Sequence, residues 1–336
     1  MSRRLQRLQS RTNLGPILAS FKWTILVLFH LFLLYVFYLK SSILVQVEER
    51  NCITSENEYK VALLTSLWAD PNRHSEHRKE VMSALAANIK NALFSLVYIV
   101  LDGADNINNC KTTTRALKTV SNVPETQINR LLCVESHDPP SYLDMFKISQ
   151  STDSLHEHVV ILANGDMLFD NSIAMAKHVQ KDTLLVIATR GAPKSWSSMR
   201  SRFKAPDRCY PPPRIRDSWD AYVFHPESLD LSDESVWLDE ATGLFFPMNQ
   251  IWAEESALNA IHSSSESIMK IYQVCEQIHM WHLHQAPKTY NEDAEIRVKH
   301  SATIPGHCTN WCECLGYNQA QNRGKLAVWE SKYLQW

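Results

Sequence analysis

Glycine is scarce in this sequence. The 336 residues include only eight glycines, no G-x-G-x-x-G follows the first predicted strand, and no G-x-x-x-x-G-K-[ST] occurs anywhere. Both motifs need glycine where the backbone comes close to phosphate groups. The sequence therefore disfavours a dinucleotide-binding Rossmann site and a P-loop nucleotide site.

Basic residues are also outnumbered by acidic residues beyond the first forty positions. The first forty residues hold six of the 34 basic side chains and no acidic one, which leaves 28 basic residues against 36 acidic residues. A protein that binds nucleic acid through its phosphates usually carries a basic patch or stripe. We therefore expect no nucleic-acid partner.

One long apolar run, residues 23–39, follows the basic start of the chain. It reads WTILVLFHLFLLYVFYL, with His30 as its only strongly polar side chain. At about 1.5 Å per residue such a helix nearly spans a bilayer core. A cleaved signal peptide is the alternative, but the apolar region of a signal peptide is shorter and ends in small residues, and "LKSSILVQ" is a weak cleavage site.

The positive charges before this run predict its orientation in the membrane. Basic residues stay in the cytosol, so we predict a cytosolic tail (1–22), a transmembrane anchor (23–40) and a short stem (41–58), with the body in the lumen. This is the topology of a single-pass type II protein, and the short span suits a thin, early secretory membrane, so we predict the Golgi or endoplasmic reticulum membrane. No Asn-x-Ser/Thr sequon occurs, so the lumenal assignment rests on the anchor alone.

All eight cysteines lie beyond the predicted anchor: Cys52, Cys110, Cys133, Cys209, Cys275, Cys308, Cys312 and Cys314. His307 and the three cysteines of "HCTNWCEC" have the residue types of a zinc site. In an oxidising compartment disulfides are the better interpretation. We predict that residues 296–336 form a cysteine-rich tail that packs on the preceding domain.

Apolar runs alternate with helical patterns along the body of the chain. Strands are predicted at residues 60–68, 94–103, 128–136, 157–169 and 182–190, and a helix around residues 77–93. This alternation is typical of an α/β fold with a mainly parallel sheet covered on both faces. Ligands of such sheets bind beyond the carboxyl ends of the strands, where Asp102, Asn164, Asp166 and Arg190 fall.

The stretch "NGDMLFD" (residues 164–170) resembles an N-x-D-x-x-F-D version of the D-x-D motif of nucleotide-sugar glycosyltransferases of the GT-A fold. Four more segments resemble elements of that family in the same order, over roughly residues 60–290: "SYLDMF", "SWDAYVF", "NQIWAEESAL" and "HMWHLHQAPKTY". The chain departs from the family at Asn164, where Asp is usual, and at Glu254-Glu255, where an Asp-Asn pair is usual.

The resemblance implies a GT-A-like domain over residues 59–295. It also implies a nucleotide-sugar donor, a glycan or glycoprotein acceptor, and Mn²⁺ or Mg²⁺. These hard cations prefer carboxylate oxygen, so Asp166 is the predicted metal ligand, while Asn164 offers only an amide oxygen to the metal or the ribose. Locally, an Asx-type turn that closes a strand explains Asn-Gly-Asp equally well.

The histidines of "HMWHLH" supply the predicted second metal ligand. His282 and His284 would share one face of a strand, with His279 on the other. We choose His284 over His282, and hydrogen-bonded core histidines remain the alternative. A metal hydrolase built on the three histidines is disfavoured, because H-x-x-H-x-H lacks the helical H-E-x-x-H arrangement.

Three acids are candidates for the base that deprotonates an acceptor hydroxyl. Glu254 and Glu255 open a predicted helix, where acids are also favoured by the helix dipole. Asp220, a base candidate or an acceptor-binding residue, lies among aromatic residues that suit either a sugar face or a core.

The donor would be held by other residues. Arg190 and Lys194 could hold the diphosphate or simply belong to a solvated loop, and Asp102 is assigned to the nucleotide. A non-catalytic sugar-binding or scaffold protein that keeps the fold remains the alternative function.

Overall fold

The computed structural model describes residues 30–32, 35, 58–68, 75–103, 105, 107–188, 219–238, 243–246, 248, 253–264, 269–275, 277–283 and 306–307. The chain divides into two units, Met1–Thr54 and Ser55–Trp336. In the first unit, residues 30–32 and 35 are helical and exposed. The rest of the predicted anchor and the cytosolic tail lie outside the described residues. Among the helices that the structure describes, none has both the length and the apolar character to cross a membrane.

The second unit alternates strands and helices along most of its length. In chain order its elements are β1 (Lys60–Trp68), α1 (Glu76–Lys90), β2 (Phe94–Asp102), α2 (Cys110–Thr119), α3 (Glu125–Ile128), β3 (Leu131–Ser136), α4 (Tyr142–Ser151), α5 (Asp153–His156), β4 (His158–Ala163), β5 (Met167–Phe169), β6 (Thr183–Ile187), β7 (Ala221–Phe224), α6 (Ala253–Ser264), β8 (Lys270–Gln273), β9 (Met280–His282) and β10 (Gly306–His307). Short 3₁₀ helices span Asn171–His178, Pro226–Ser228 and Glu234–Trp237.

Eight strands form one sheet in the order β10-β8-β6-β7-β4-β1-β2-β3. Only β7 runs against its neighbours β4 and β6, and the other described pairs are parallel. The prediction of a mainly parallel α/β sheet is therefore confirmed. Residues 61–65 of β1 are all buried, as expected of a strand covered on both faces.

The prediction of one strand over residues 157–169 is wrong. The structure has two strands, because the Asn164–Gly165–Asp166 turn ends β4 and sends the chain out of the large sheet. The following strand β5 pairs instead with β9 in a separate antiparallel ribbon. This change of direction puts the polar turn at the carboxyl end of a central strand, which is where ligands of open α/β sheets bind.

Helices pack their apolar sides on the sheet. The largest contributions on one face come from α4 and α6, whose side chains surround the buried aromatic rings of Phe146, Tyr222 and Trp237. Ser75 precedes helix α1, and its side chain accepts a hydrogen bond from the Arg78 amide and so caps the helix. Together these helices fix the positions of the strand ends.

Each described cysteine is disulfide-bonded. Cys110 at the start of α2 is joined to Cys133 in the edge strand β3, and Cys275 also forms a disulfide. The other five cysteines, including Cys308, Cys312 and Cys314, lie outside the described residues. Their oxidation therefore stays a prediction.

Candidate functional site

The candidate site is built around the turn that follows β4. The Met167 amide donates to the Asn164 carbonyl at 3.2 Å, which closes the turn, and the Asn164 amide donates to the Asp220 carbonyl at 3.3 Å, which ties it to the start of β7. Asp166 is 8 % exposed. An Asn-Gly-Asp turn is thus held at the sheet edge with a largely buried carboxylate.

Gly165 is needed for packing within the protein. A Cβ atom at this position would lie 2.7 Å from the Ser66 carbonyl oxygen, 2.8 Å from a Leu67 methyl carbon and 3.5 Å from Val81. A glycine in this motif also permits close approach of a ligand backbone. Here the close neighbours are β1 and α1 of the chain itself, which leaves the turn lying directly over the end of β1.

The carboxylate of Asp166 contacts a histidine from the ribbon. Strand β9 pairs with β5 so that His282 lies opposite Met167, and the Leu283 amide donates to the Asp166 carbonyl at 3.0 Å. The His282 Nε2 atom is 2.5 Å from Asp166 Oδ2. His284, the predicted ligand, lies outside the described residues, and His282 is the histidine that the structure brings to Asp166.

Asn164 makes three side-chain hydrogen bonds. Its Nδ2 atom donates to Asp220 Oδ1 at 3.4 Å and to Glu254 Oε1 at 3.2 Å, while its Oδ1 atom accepts from the Tyr142 hydroxyl at 3.3 Å. The hydroxyl group of Tyr222, two residues after Asp220, donates a hydrogen bond to the Glu254 carbonyl. The structure therefore brings Asn164, Asp220 and Glu254 together. The side chain of Glu255 lies outside what the structure describes.

Tyr142 forms the buried floor of this cluster. Its pKa is raised well above the usual range, first by burial and then by the nearby Glu254, Tyr222 and Asp220 side chains. The hydroxyl therefore keeps its proton at neutral pH and can only act as a protonated partner. Tyr142 opens α4 just after Ser141, whose capping box with Asp144 fixes the start of the helix.

Asp102 is the last residue of β2. In the sheet β2 lies on one side of β1 and β4 on the other, so β1 separates the end of β2 from the end of β4. Burial raises the pKa of the Asp102 carboxyl group, and the nearby Asp138 raises it further. Trp68 is its register partner on β1 and leaves about half of its surface exposed. Arg190 and Lys194, the predicted diphosphate contacts, lie outside the described residues.

A second acid–histidine pair occupies the opposite end of the β5–β9 ribbon. Asp170 Oδ2 is 3.1 Å from His279 Nδ1, and Asp170 Oδ1 accepts from the Ser172 amide at 2.8 Å. The His279 amide donates to the Ser172 hydroxyl at 2.7 Å. Asp170 caps the following 3₁₀ helix.

Three site-building residues were missed or passed over in the sequence. Tyr142 was part of a family-like segment but had no role, and His282 was ranked below His284. Asn88 was not noticed, although its position three residues after Leu85 puts a polar side chain on the buried side of α1. It joins α1 to β5 by donating to the Met167 carbonyl at 2.8 Å and accepting from the Phe169 amide at 3.2 Å.

Asp166 and His282 have the ligand types for part of a divalent-cation site. A carboxylate oxygen and an imidazole nitrogen are both ligands of Mn²⁺, and a bound cation would replace the hydrogen bond between them. Within the described part of the chain no group of three or more acidic, histidine or cysteine side chains has the arrangement of a metal site. Among the residues that the structure describes, Asp166 and His282 are the pair of side chains at the turn that could contact a cation, and a bound diphosphate could supply further oxygen ligands.

Comparisons with known proteins give little. No family model matches the sequence, and no curated protein matches it. Among solved structures, the chain is similar to 4-diphosphocytidyl-2C-methyl-D-erythritol synthase from Anaerococcus prevotii, with 9% identity, a TM-score of 0.30, and coverage of 51% of this chain and 71% of that chain.

Two further structures are similar to the same extent. A putative glucose-1-phosphate thymidylyltransferase from Bacillus anthracis has 8% identity and a TM-score of 0.30, and covers 62% of this chain and 96% of its own. HddC from Yersinia pseudotuberculosis has 9% identity and a TM-score of 0.33, and covers 67% of this chain and 93% of its own. Likeness at this level assigns neither a fold family nor an activity.

Proposed function

We propose that this protein is a glycosyltransferase with a GT-A-like domain that moves a sugar from a nucleotide-sugar donor to a glycan or glycoprotein acceptor. One observation carries the proposal. The N-x-D turn ends a central strand of a mainly parallel sheet, and Asp166, Asp220 and Glu254 all lie at or beside that turn. Open α/β sheets bind their ligands at this edge, beyond the carboxyl ends of the strands.

The chemistry of sugar transfer needs the groups that meet here. The bond from the anomeric carbon to the diphosphate breaks, a bond to the acceptor hydroxyl oxygen forms, and the hydroxyl proton must be accepted. Asp220 and Glu254 are the described carboxylates in contact with the turn through Asn164, which supports them as base candidates. Glu255 is kept as a candidate on the resemblance alone.

The cation is assigned to Asp166 and to His282, with His284 as the alternative from the sequence. Mn²⁺ or Mg²⁺ bound there would supply positive charge to the departing diphosphate. Asp166 is suited to this because its carboxylate is buried and already in contact with His282. Asp102 is assigned to the nucleotide, and Arg190 and Lys194 to the diphosphate.

We also propose that the protein is anchored in the Golgi or endoplasmic reticulum membrane through residues 23–40, with its catalytic domain in the lumen. The disulfides at Cys110, Cys133 and Cys275 support an oxidising compartment. In intact microsomes, residues 60–336 should resist added protease until detergent is present. Digestion of the body without detergent would contradict this topology.

A donor screen tests the proposed activity. The full chain in detergent is incubated with each common nucleotide sugar, with and without Mn²⁺, and donor hydrolysis and transfer are measured beside the Asp166→Asn variant. We expect metal-stimulated release of nucleotide from one donor by the wild type only. Saturable donor binding without turnover would favour a non-catalytic sugar-binding protein, and the absence of any donor binding would contradict both functions.

A further inference from the structure

The side chain of Asn164 has an unusual set of neighbours. A neutral amide has two N–H donors and one carbonyl acceptor. In this chain the donors face two carboxylates, Asp220 and Glu254, and the acceptor faces the Tyr142 hydroxyl. Every polar group of the Asn164 side chain therefore has a partner inside the protein.

Chemistry fixes which way the amide points. In the structure the NH₂ group faces the Asp220 and Glu254 carboxyl oxygens, and the amide oxygen faces the Tyr142 hydroxyl, which has a hydrogen to donate. The Tyr142 hydroxyl stays protonated and donates to the amide oxygen, because burial and the nearby acids raise its pKa. A flipped amide would set its oxygen against two carboxylates, so the observed orientation is the stable one.

We propose that Asn164 is a positioning residue, which bridges the Asp220 and Glu254 carboxylates through its amide, is held in place by Tyr142, and takes no part in binding a cation. The inference rests on the proposed function in treating these two acids as base candidates. It accounts for a neutral residue at the position where the motif that residues 164–170 resemble usually has an acid. An aspartate at this position would set three carboxylates against one another.

The bridge joins parts of the chain that are far apart in sequence. Asn164 follows β4, Asp220 precedes β7, Glu254 belongs to the first turn of α6, and Tyr142 opens α4. Tyr222 adds a second link, because its hydroxyl donates to the Glu254 carbonyl. Asp220 is 3 % exposed, so charge repulsion at this point is weakly screened by solvent.

The test uses a charge swap in the full chain. Asn164→Asp adds a third carboxylate, and the double variant N164D/D220N restores two carboxylates and one amide. Asn129→Asp is the matched control, since Asn129 is exposed and far from the turn in sequence. At neutral pH we expect Asn164→Asp to lower the melting midpoint by about 5–10 °C, the swap to recover at least half of the loss, and the control to shift it by no more than about 1 °C.

Two milder variants separate bridging from metal binding. Tyr142→Phe and Asn164→Ala should leave the apparent affinity for Mn²⁺, measured without donor, within about twofold of wild type, whereas Asp166→Asn should weaken it by at least about tenfold. With an active donor, Tyr142→Phe should lower kcat by about tenfold and leave the KM for the donor nearly unchanged.

Several results would overturn the inference. A melting midpoint for Asn164→Asp like that of the control, a swap that recovers nothing, or a loss of Mn²⁺ affinity in Asn164→Ala as large as in Asp166→Asn would each do so. If no donor is ever turned over, the proposed function fails, but the melting series still decides whether Asn164 bridges two carboxylates.

Discussion

The two ends of the β5–β9 ribbon carry the same kind of pair in different surroundings. At one end Asp166 contacts His282, with side chains 10% and 19% exposed. At the other end Asp170 contacts His279, with side chains 41% and 33% exposed. The residue types are identical, so composition cannot tell the two ends apart.

Position in the fold separates the two pairs. Asp166 belongs to the turn at the carboxyl edge of the large sheet, next to the cluster formed by Asn164, Asp220 and Glu254. The side chain of Asp170 accepts a hydrogen bond from the Ser172 amide and so caps a 3₁₀ helix. Burial raises the pKa of Asp170, but the hydrogen bonds from Ser172 and the pair with His279 together outweigh it and hold that pKa below its usual range. One pair thus has the surroundings of a site, and the other stabilises local structure.

The largest difference should appear in activity. Asp166→Asn is nearly isosteric and removes the negative charge of the proposed cation ligand, so we expect transfer to fall by at least about 10²-fold. Asp170→Asn makes the same chemical change at the other end of the ribbon and should keep most of the activity, since asparagine also caps helices. Metal-stimulated turnover of both variants is the measurement. Full turnover by Asp166→Asn together with a loss in Asp170→Asn would exchange the roles assigned here.

The next largest effect concerns the attachment of the ribbon to α1. Asn88 is 3 % exposed and bonds to the backbone of Met167 and Phe169. Asn88→Ala would leave a buried carbonyl and a buried amide without their partner, which we expect to lower the free energy of unfolding by roughly 2–4 kcal/mol. Urea unfolding of Asn88→Ala beside wild type measures the loss in unfolding free energy.

Asn91→Ala is the control for that experiment. Asn91 Nδ2 donates to the Asp170 carbonyl at 3.4 Å and Asn91 Oδ1 accepts from the Leu93 amide at 3.1 Å, both in part-buried surroundings where water can replace the bonds. Its loss should stay within about 1 kcal/mol. Equal losses in the two variants would mean that the two ends of β5 are held with equal strength, contrary to the comparison.

The turn at the Asp166 end should also resist a single added methyl group. Gly165→Ala would place a Cβ atom 2.7 Å from the Ser66 carbonyl oxygen, which is backbone and cannot rotate away. Relief requires a shift of the turn or of β1, so we expect a loss of about 1–3 kcal/mol in unfolding free energy and reduced activity. A urea unfolding midpoint for Gly165→Ala equal to that of wild type would show that the turn can accommodate the methyl group. It would contradict the close contact between the turn and β1.

The sequence predicted the parts of this comparison that depend on local pattern. Strands β1, β2 and β3 and helix α1 follow from apolar periodicity. The break between β4 and β5 was missed because apolar residues continue on both sides of Asn164–Gly165–Asp166. Strand β7 was missed because it has only four residues.

The site itself depends on contacts that local pattern does not contain. Alternation in "WHLH" indicates which histidines share a face, but only the pairing of β9 with β5 brings His282 to Asp166. The partners of Asn164 lie 22, 56 and 90 residues away along the chain. The resemblance supplied the candidate acids, and the fold supplied the hydrogen-bond partners on which the proposed bridging role of Asn164 rests.

The smallest effect is expected at the exposed end of the ribbon and depends on pH. Because the pKa of Asp170 is lowered in the folded protein, its stabilising contribution is present above the unfolded pKa of about 3.9 and is lost as pH falls through the folded value. Asp170→Ala should therefore cost about 1 kcal/mol at neutral pH, a typical value for a lost helix cap, with little added by the solvent-screened pair with His279. Urea unfolding at neutral pH and below about pH 3 measures the difference between variant and wild type, which should shrink in acid. A difference between Asp170→Ala and wild type that stays constant with pH would mean that the Asp170 charge does not contribute to stability. A loss above about 3 kcal/mol at neutral pH would mean that the exposed end of the ribbon contributes as much to stability as the buried end.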